Sequence, residues 1–407
     1  MALAAINNLL TAILPGNRFY AEKLGGVGPF ASLEDFAAKI PFTTKDELAA
    51  DQEAHPPYGR ILTYPLETYT RYHQTSGTRG KPMAWLDDHA GWEWVLESWQ
   101  WVWCTAGAKQ GDSAFFPFSF GPFIGFWAAF EAATGMGMRA IPGGGLSSEN
   151  RLRLVAEQRP GFLACTPTYA LHLAEVAKRI GLHLSELGVR VLVVCGEPGG
   201  SIPEVRDRIA AEWGAKVVDH HGMTEVGPVT VSDPRNPDLL RIYHPSYHAE
   251  VIDPESGSAV ELGAVGELVL TTLGRYGSPL IRYRTGDLVK PVSVGSMDPA
   301  EFALEGGIIG RADDMVVVRG VNVYPSAIEA VVRSVDGIGE FEVEVDERGA
   351  LPEIRLVIEN STGRSAEKEL ESRLRSVFSM RIPVRAVEPG TLPVFEVKAK
   401  RWKIIRE

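Results

Sequence analysis

The chain has 407 residues, 45% hydrophobic and 23% charged, the balance of a water-soluble globular protein rather than a disordered or fibrous one. That length exceeds one compact core, so two or three structural units are expected. With 41 Lys and Arg against 52 Asp and Glu the net charge is −11, which gives the chain no global attraction to nucleic acid or anionic membrane but leaves room for a local basic pocket that takes phosphates.

In chain order, MALAAINNLLTAIL has a helical apolar pattern without the basic start or cleavage site of a secretory signal, and reads as a surface helix. The loop Thr75-Ser76-Gly77-Thr78-Arg79-Gly80-Lys81-Pro82 follows the extended run TYTRYHQ. Its glycines permit a tight turn, its hydroxyls can donate to phosphate oxygens, and Lys81 adds positive charge. It is not a Walker loop, because the glycine spacing is wrong and Pro82 stands where a Mg²⁺-binding Ser or Thr would be. On its residues alone a polar surface turn is also compatible. The uncharged stretch from Ser113 to Phe130 is broken by Pro117, Gly121, Pro122 and Gly125, where a membrane helix of ~20 residues would be regular. It reads as a buried turn lined with aromatics.

From Gly161 to His221, β-branched runs alternate with amphipathic stretches (GFLACT, PTYALHLAEVAKRIG, VRVLVVC, IPEVRDRIAAEW, KVVDHH), which is the βαβαβ pattern of a parallel sheet covered by helices. Such sheets take ligands at their carboxyl ends, so Thr166, Gly196-Glu197-Pro198 and His221-Gly222 should line one cleft. After Pro228, AEVIDPESG and GELVLTT predict a smaller antiparallel β unit ending at about Asp287. From Asp314 on, MVVVRG, PSAIEAVVRSV, EFEVEVDE, EIRLVIEN and SAEKELESRLRSVF make a separate α+β domain. Cys104, Cys165 and Cys195 are odd in number and form no CxxC pair, which points to a reducing, cytoplasmic setting. His244 and His248 are four apart, but Pro245 spoils the geometry of a zinc pair.

The phosphate-type loop resembles that of the adenylate-forming enzymes, the superfamily of acyl-CoA and aryl-CoA ligases, carrier-protein adenylation domains and luciferases. Further matches follow in the expected order: Gly196-Glu197-Pro198, His221-Gly222-Met223-Thr224-Glu225, Tyr283-Arg284-Thr285-Gly286-Asp287 and Gly310-Arg311-Ala312-Asp313-Asp314. NRFYAEKL, SLEDFAAKIPFTTKDEL, CTPTYALHLAE and NVYPSAIE are most similar to the phenylacetate-CoA ligase branch. The resemblance implies an α/β fold: a large N-terminal domain, residues 1–313, with parallel α/β sheets and a small β-barrel-like unit, then a small mobile α+β domain, residues 314–407.

It also implies ATP, Mg²⁺ and coenzyme A as cofactors and co-substrates. Carboxylate attack on the α-phosphorus of ATP gathers four anionic groups, for which hydroxyls, a lysine and a divalent ion are suited. By resemblance, Ser76, Thr78 and Lys81 hold the β- and γ-phosphates, Thr224 touches the α-phosphate, and Glu225 ligates Mg²⁺. Gly196, Glu197 and Pro198 face the adenine, with Gly222 and Met223 beside them. His221 stands where the family usually has tyrosine, which suits stacking on the base. Asp287 accepts from the ribose hydroxyls, Arg311 contacts ribose or phosphate, and Asp313 is the hinge. Lys398 is the catalytic lysine, although Val397 replaces the usual preceding glycine and Lys400 competes for the role. Gly320 admits the pantetheine arm. Phe118, Phe120, Phe123 and Trp127 suit a flat apolar acid. On residues alone, Glu225 is also compatible with a solvated loop carboxylate and His221 with a core histidine.

The expectation is an enzyme that makes an aryl or arylalkyl acyl-adenylate and passes the acyl group to coenzyme A, as a monomer or homodimer, with small-molecule partners and no nucleic-acid or membrane partner. Two rivals stand beside it: transfer to a carrier protein or an amine, and a binding protein impaired by the changes at His221 and Val397.

Overall fold

The computed structural model describes residues 2–75, 82–122, 124–125, 127–295, 301–312, 316–318, 321–346, 348, 352–360, 365–393, 395 and 400–405. Ser76, Thr78, Lys81, Phe123, Asp313, Gly320, Val397 and Lys398 lie outside these residues.

A five-stranded parallel sheet forms the centre of the N-terminal part, in spatial order Arg139–Pro142, Ser113–Phe116, Phe162–Cys165, Val191–Cys195 and Lys216–His220. Alternate strand residues feed two cores. Phe116, Phe162, Ala164, Val193 and Val218 pack on one face with Trp99, Trp103 and Ala129. Phe115, Leu163, Leu192, Val194 and Val217 pack on the other with Leu173, Ile209 and Trp213. Helices on both faces explain why these strands are continuous apolar runs rather than alternating ones. The run Ser113 to Phe130 differs from the expected turn: it begins as the strand Ser113–Phe116 and ends inside the helix Trp127–Gly135, and the described residues between the two lie outside regular structure.

The β unit after Pro228 continues past Asp287 as far as Arg311. One antiparallel sheet runs Thr230–Ser232, Leu239–Ile242, Phe302–Glu305, Pro291–Ser293, and a second runs Tyr247–Ile252, Gly266–Thr272, Tyr283–Val289, Gly310–Arg311. The late strands have only two to four residues, too few for a period of two to show in the sequence. No closed barrel forms among the described strands.

The N-terminal helix, Ala2–Ile13, turns Ile6, Leu9, Leu10 and Ile13 into a core shared with Leu268, Leu270 and Tyr283. Further on, Thr43 adds itself to the edge of the strand Tyr283–Val289: its amide donates to the Arg282 carbonyl (2.9 Å), and its carbonyl accepts from the Arg284 amide (2.9 Å).

In the C-terminal part a mixed sheet, ordered Val384–Val387, Glu353–Asn360, Ile338–Asp346, Trp402–Ile405, packs with the helices Pro325–Arg333 and Ser365–Phe378 around Ile328, Val332, Phe341, Leu356 and Leu370. The basic tail thus ends in an ordered strand, Trp402–Ile405, parallel to Ile338–Asp346.

Candidate functional site

Thr166, Gly196 and His221 directly follow three adjacent parallel strands, which brings the three polar loops to one edge of the sheet. Thr166 caps the helix Pro167–Ile180, its hydroxyl accepting from the Tyr169 amide at 3.2 Å. The carboxylate of Glu197 adds a second cap, accepting from the Thr168 amide at 2.8 Å. Gly196 has φ of +94°, a backbone region open chiefly to glycine.

His221 and Asp287 come from the two β systems and meet. The His221 Nε2 lies 2.9 Å from Asp287 Oδ2, and Arg311, opposite Asp287 in the strand register, donates to Oδ1 at 3.0 Å. Asp287 is buried and the His221 side chain is 12% exposed. A carboxylate only accepts, so Nε2 carries a proton; the buried Nδ1 has no partner among the described residues. His221 is therefore not a satisfied core histidine.

Gly222–Met223 and Gly227–Pro228 pair as the two short strands of a hairpin whose three-residue tip is Thr224, Glu225 and Val226. A Cβ on Gly222 would lie 2.7 Å from the Gly227 carbonyl oxygen, so the motif's glycine is a packing requirement. Glu225 is 2% exposed, which removes the solvated-carboxylate alternative. Its Oε1 accepts from the Tyr283 hydroxyl at 3.1 Å and lies 3.4 Å from Lys45 Nζ. Burial first, then the charge of Glu225, pushes the Tyr283 phenol well above its ordinary range, which keeps it a donor. The tip is held from behind by Arg275, whose Nη1 donates to the carbonyls of Thr224 (3.2 Å) and Glu225 (2.8 Å). Arg275 in turn makes a bidentate pair with Asp87 at 2.6 and 2.7 Å, both side chains fully buried.

Asp87 belongs to the hairpin Tyr69–Gln74/Ala84–Asp88, whose connection is the phosphate-type loop. Thr75, at the root of that loop, is clamped on both sides: its amide donates to the Met83 carbonyl (2.9 Å) and its hydroxyl accepts from the Met83 amide (3.0 Å). Asp87 and Arg275 thus tie the stem of the loop to the Thr224-Glu225 tip. Two buried histidines flank this region. His73 stacks on Trp92 (5.1 Å between centroids), and burial pushes its pKa down to about 4. His220 Nδ1 lies 2.6 Å from the Thr230 carbonyl oxygen, and burial pushes its pKa down to about 3.

Of the aromatic set, Phe118, Phe120 and Trp127 form one half-buried cluster, with centroids 5.0 and 4.3 Å apart, and Trp127 Nε1 donates to the Gly121 carbonyl at 2.9 Å. Lys400 is exposed, whereas Arg401 beside it is buried. Among the described residues no group of three or more His, Cys, Asp or Glu side chains could hold a metal, and no helix is long and apolar enough to cross a membrane.

Sequence reasoning missed Lys45, Asp87, Arg275 and the contact of Tyr283 with Glu225. Only the last had a local signal: in a strand Tyr283 and Asp287 share a face, so the residue in register with the motif's aspartate was available to the site.

Family models of the AMP-binding enzyme and of the AMP-binding enzyme C-terminal domain match residues 72–274 and 320–403. A phenylacetate-coenzyme A ligase from Thermus thermophilus is 33% identical over 84% of this chain and 77% of its own length. One from Pseudomonas putida is 31% identical over 90% and 84%. Among solved structures, 2-hydroxyisobutyryl-CoA ligase in its postadenylation state with 2-HIB-AMP superposes with a TM-score of 0.92 at 30% identity, covering all of this chain and 89% of that one. The same ligase with 2-HIB-AMP and CoA in the thioesterification state gives 0.73 at 31% identity and the same coverage. The chain belongs to the adenylate-forming AMP-binding enzymes, in their phenylacetate-CoA ligase-like branch.

Proposed function

We propose that the protein is an AMP-forming acid–CoA ligase whose acid is an aryl or arylalkyl carboxylate. A carboxylate oxygen attacks the α-phosphorus of ATP and pyrophosphate leaves; the thiol sulfur of coenzyme A then attacks the acyl carbon, the thiol proton is lost, and AMP leaves. The observation that carries this reading is the meeting of His221, Asp287 and Arg311, together with a buried Glu225 that Arg275 ties to Asp87 on the stem of the loop.

In this reading the ribose hydroxyls donate to Asp287, because a carboxylate can accept several hydrogen bonds at once. The buried Nδ1 of His221 finds its partner in the nucleotide. Gly196, Glu197 and Pro198 border the adenine, with Gly222 and Met223 next to it, and Thr224 donates to the α-phosphate. Ser76, Thr78 and Lys81 hold the outer phosphates. One buried carboxylate with no ligand cluster around it among the described residues fits Mg²⁺, which keeps several waters and phosphate oxygens and asks little of the protein. Bound there through Glu225, Mg²⁺ would offset phosphate charge as pyrophosphate departs.

Phe118, Phe120, Phe123 and Trp127 line the acid pocket; the half-buried state of the three described rings supports this over a plain core role. Residues 1–313 bind ATP and acid, residues 314–407 carry Lys398 and Gly320 past a hinge at Asp313, and the enzyme works in the cytoplasm as a monomer or homodimer. Acid-dependent ATP–pyrophosphate exchange over a panel of phenylacetate, benzoates, 2-hydroxyisobutyrate and short fatty acids tests the reading, with AMP as product. ADP as the acid-dependent product would overturn it. Preference for 2-hydroxyisobutyrate would overturn the aryl pocket alone.

A further inference from the structure

Arg401 stands just before the strand Trp402–Ile405 and three residues after Lys398. It is 5% exposed. Within its own unit it bonds Glu340 at 2.6 Å and Glu329 at 3.1 Å, with its guanidinium 4.8 Å from the Phe341 centroid. Burying a guanidinium is costly unless carboxylates offset it. Yet Arg333 already lies within 3.6 Å of Glu329 and 3.8 Å of Glu340, so these carboxylates have a counter-charge without Arg401. What Arg401 does that Arg333 does not is reach the N-terminal part, where its Nη2 donates to Thr168 Oγ1 at 3.2 Å.

Thr168 is no neutral landing point. Its amide donates to Glu197, the middle residue of Gly196-Glu197-Pro198, and the Glu197 charge acts on Arg401 as well. A chain of two hydrogen bonds thus joins the segment that follows Lys398 to the loop that borders the adenine. Other bonds across this junction are the long contact of Arg208 Nη1 with the Ile338 carbonyl (3.4 Å) and that of the Ser326 hydroxyl with the Ile309 carbonyl. With the Arg401 bond made, the chain superposes far better on the postadenylation neighbour than on the thioesterification one.

We propose that Arg401 is a positioning residue that holds the C-terminal unit in the arrangement preceding thioester formation, through Thr168 and Glu197, and that this link must break before the acyl group is passed on. The inference rests on the function proposed above. Its logic is a population shift: a bond made in one arrangement only favours that arrangement by its own strength, so its loss costs the half-reaction run there and not the one run after the bond has broken.

The test uses the full chain and two variants. Thr168→Val removes the acceptor at nearly constant volume and leaves the Arg401 carboxylates alone; Arg401→Lys keeps the charge but loses the fork. Acid-dependent ATP–pyrophosphate exchange should fall roughly ten- to a hundred-fold, the worth of one hydrogen bond to a charged group. Conversion of supplied acyl-adenylate and coenzyme A to thioester should be no slower than in wild type, a split that mere structural damage would not produce. Amide hydrogen exchange across Pro325–Arg333, whose unit would be released, should quicken in both variants. Equal loss of both half-reactions in Thr168→Val, or unchanged pyrophosphate exchange and unchanged amide exchange, would overturn the inference. If the wild type exchanges pyrophosphate with no acid, the functional reading falls, and amide exchange in Thr168→Val still decides whether Arg401 holds the two parts together.

Discussion

Replacing Asp87 with Asn isolates the support under the Thr224-Glu225 tip. The change keeps the side chain's volume but strips the charge from a bidentate pair in which both partners are fully buried. Arg275 would then hold a positive charge with no carboxylate paired to it among the described residues, faced by two carbonyls, the Asn amide oxygen and the Trp85 ring 5.5 Å away. Breaking a buried pair from one side typically costs about 3–5 kcal/mol. At roughly 2–4 °C per kcal/mol for a large domain, the melting midpoint should fall by about 6–20 °C. Scanning calorimetry on Asp87→Asn and Arg275→Met measures this, and Asp87→Leu with Arg275→Met together should recover much of the loss, because no charge is left stranded. Pyrophosphate exchange, measured well below the midpoint, should stay low in the double variant, since nothing then holds the two carbonyls of the tip. A midpoint shift under about 2 °C for Asp87→Asn, or full activity in the double variant, would show that the pair supports neither the fold nor the tip.

Glu225→Gln should leave the fold intact and lower the adenylation rate by ~10²–10³, the loss usual for one electrostatic contact at a reacting centre; near-normal turnover at saturating Mg²⁺ would place the metal elsewhere. Gly222→Ala forces a Cβ to within 2.7 Å of the Gly227 carbonyl, so it should cost about 1–3 kcal/mol in a thermal melt and disturb exchange at the same time. Stability should also depend on pH through His73 and His220, whose pKa values fall from 6.5 to about 4 and about 3 on folding. The unfolded chain binds more protons in that window, so stability is full above pH 6.5 and declines as the pH falls toward 3. Urea midpoints at several pH values read this, and His220→Gln should flatten the slope.

The runs FLAC, VLVVC and KVVDH declare their strands because both faces of a parallel sheet are buried, and polar residues just after each run mark the ligand edge. That much of the site is local. The contacts that tie it together are not: Lys45 meets Glu225 across 180 residues, Arg275 meets Asp87 across 188, and Arg401 meets Thr168 across 233. A lysine in a capping-box helix or an arginine between two strands has no period or spacing to reveal such a partner. The pairing exists only once strands far apart in sequence have been brought side by side. The same holds for the short strands Pro291–Ser293 and Gly310–Arg311, which owe their pairing to neighbours rather than to their own residues.

The attachment of the N-terminal segment to the strand of Asp287 sets an order of events during synthesis. Thr43 bonds the Ile281 carbonyl across 238 residues, Arg282 reaches back to the Ile40 carbonyl across 242, and the Tyr20 hydroxyl accepts from the Ile281 amide across 261. The first helices therefore leave the ribosome long before their partners are made. At translation speeds of about 5–20 residues per second, the wait is roughly 10–50 s. Through that interval the face carrying Ile6, Leu9, Leu10 and Ile13 has no strand to cover it, and a chaperone that binds apolar helices has its longest opportunity there.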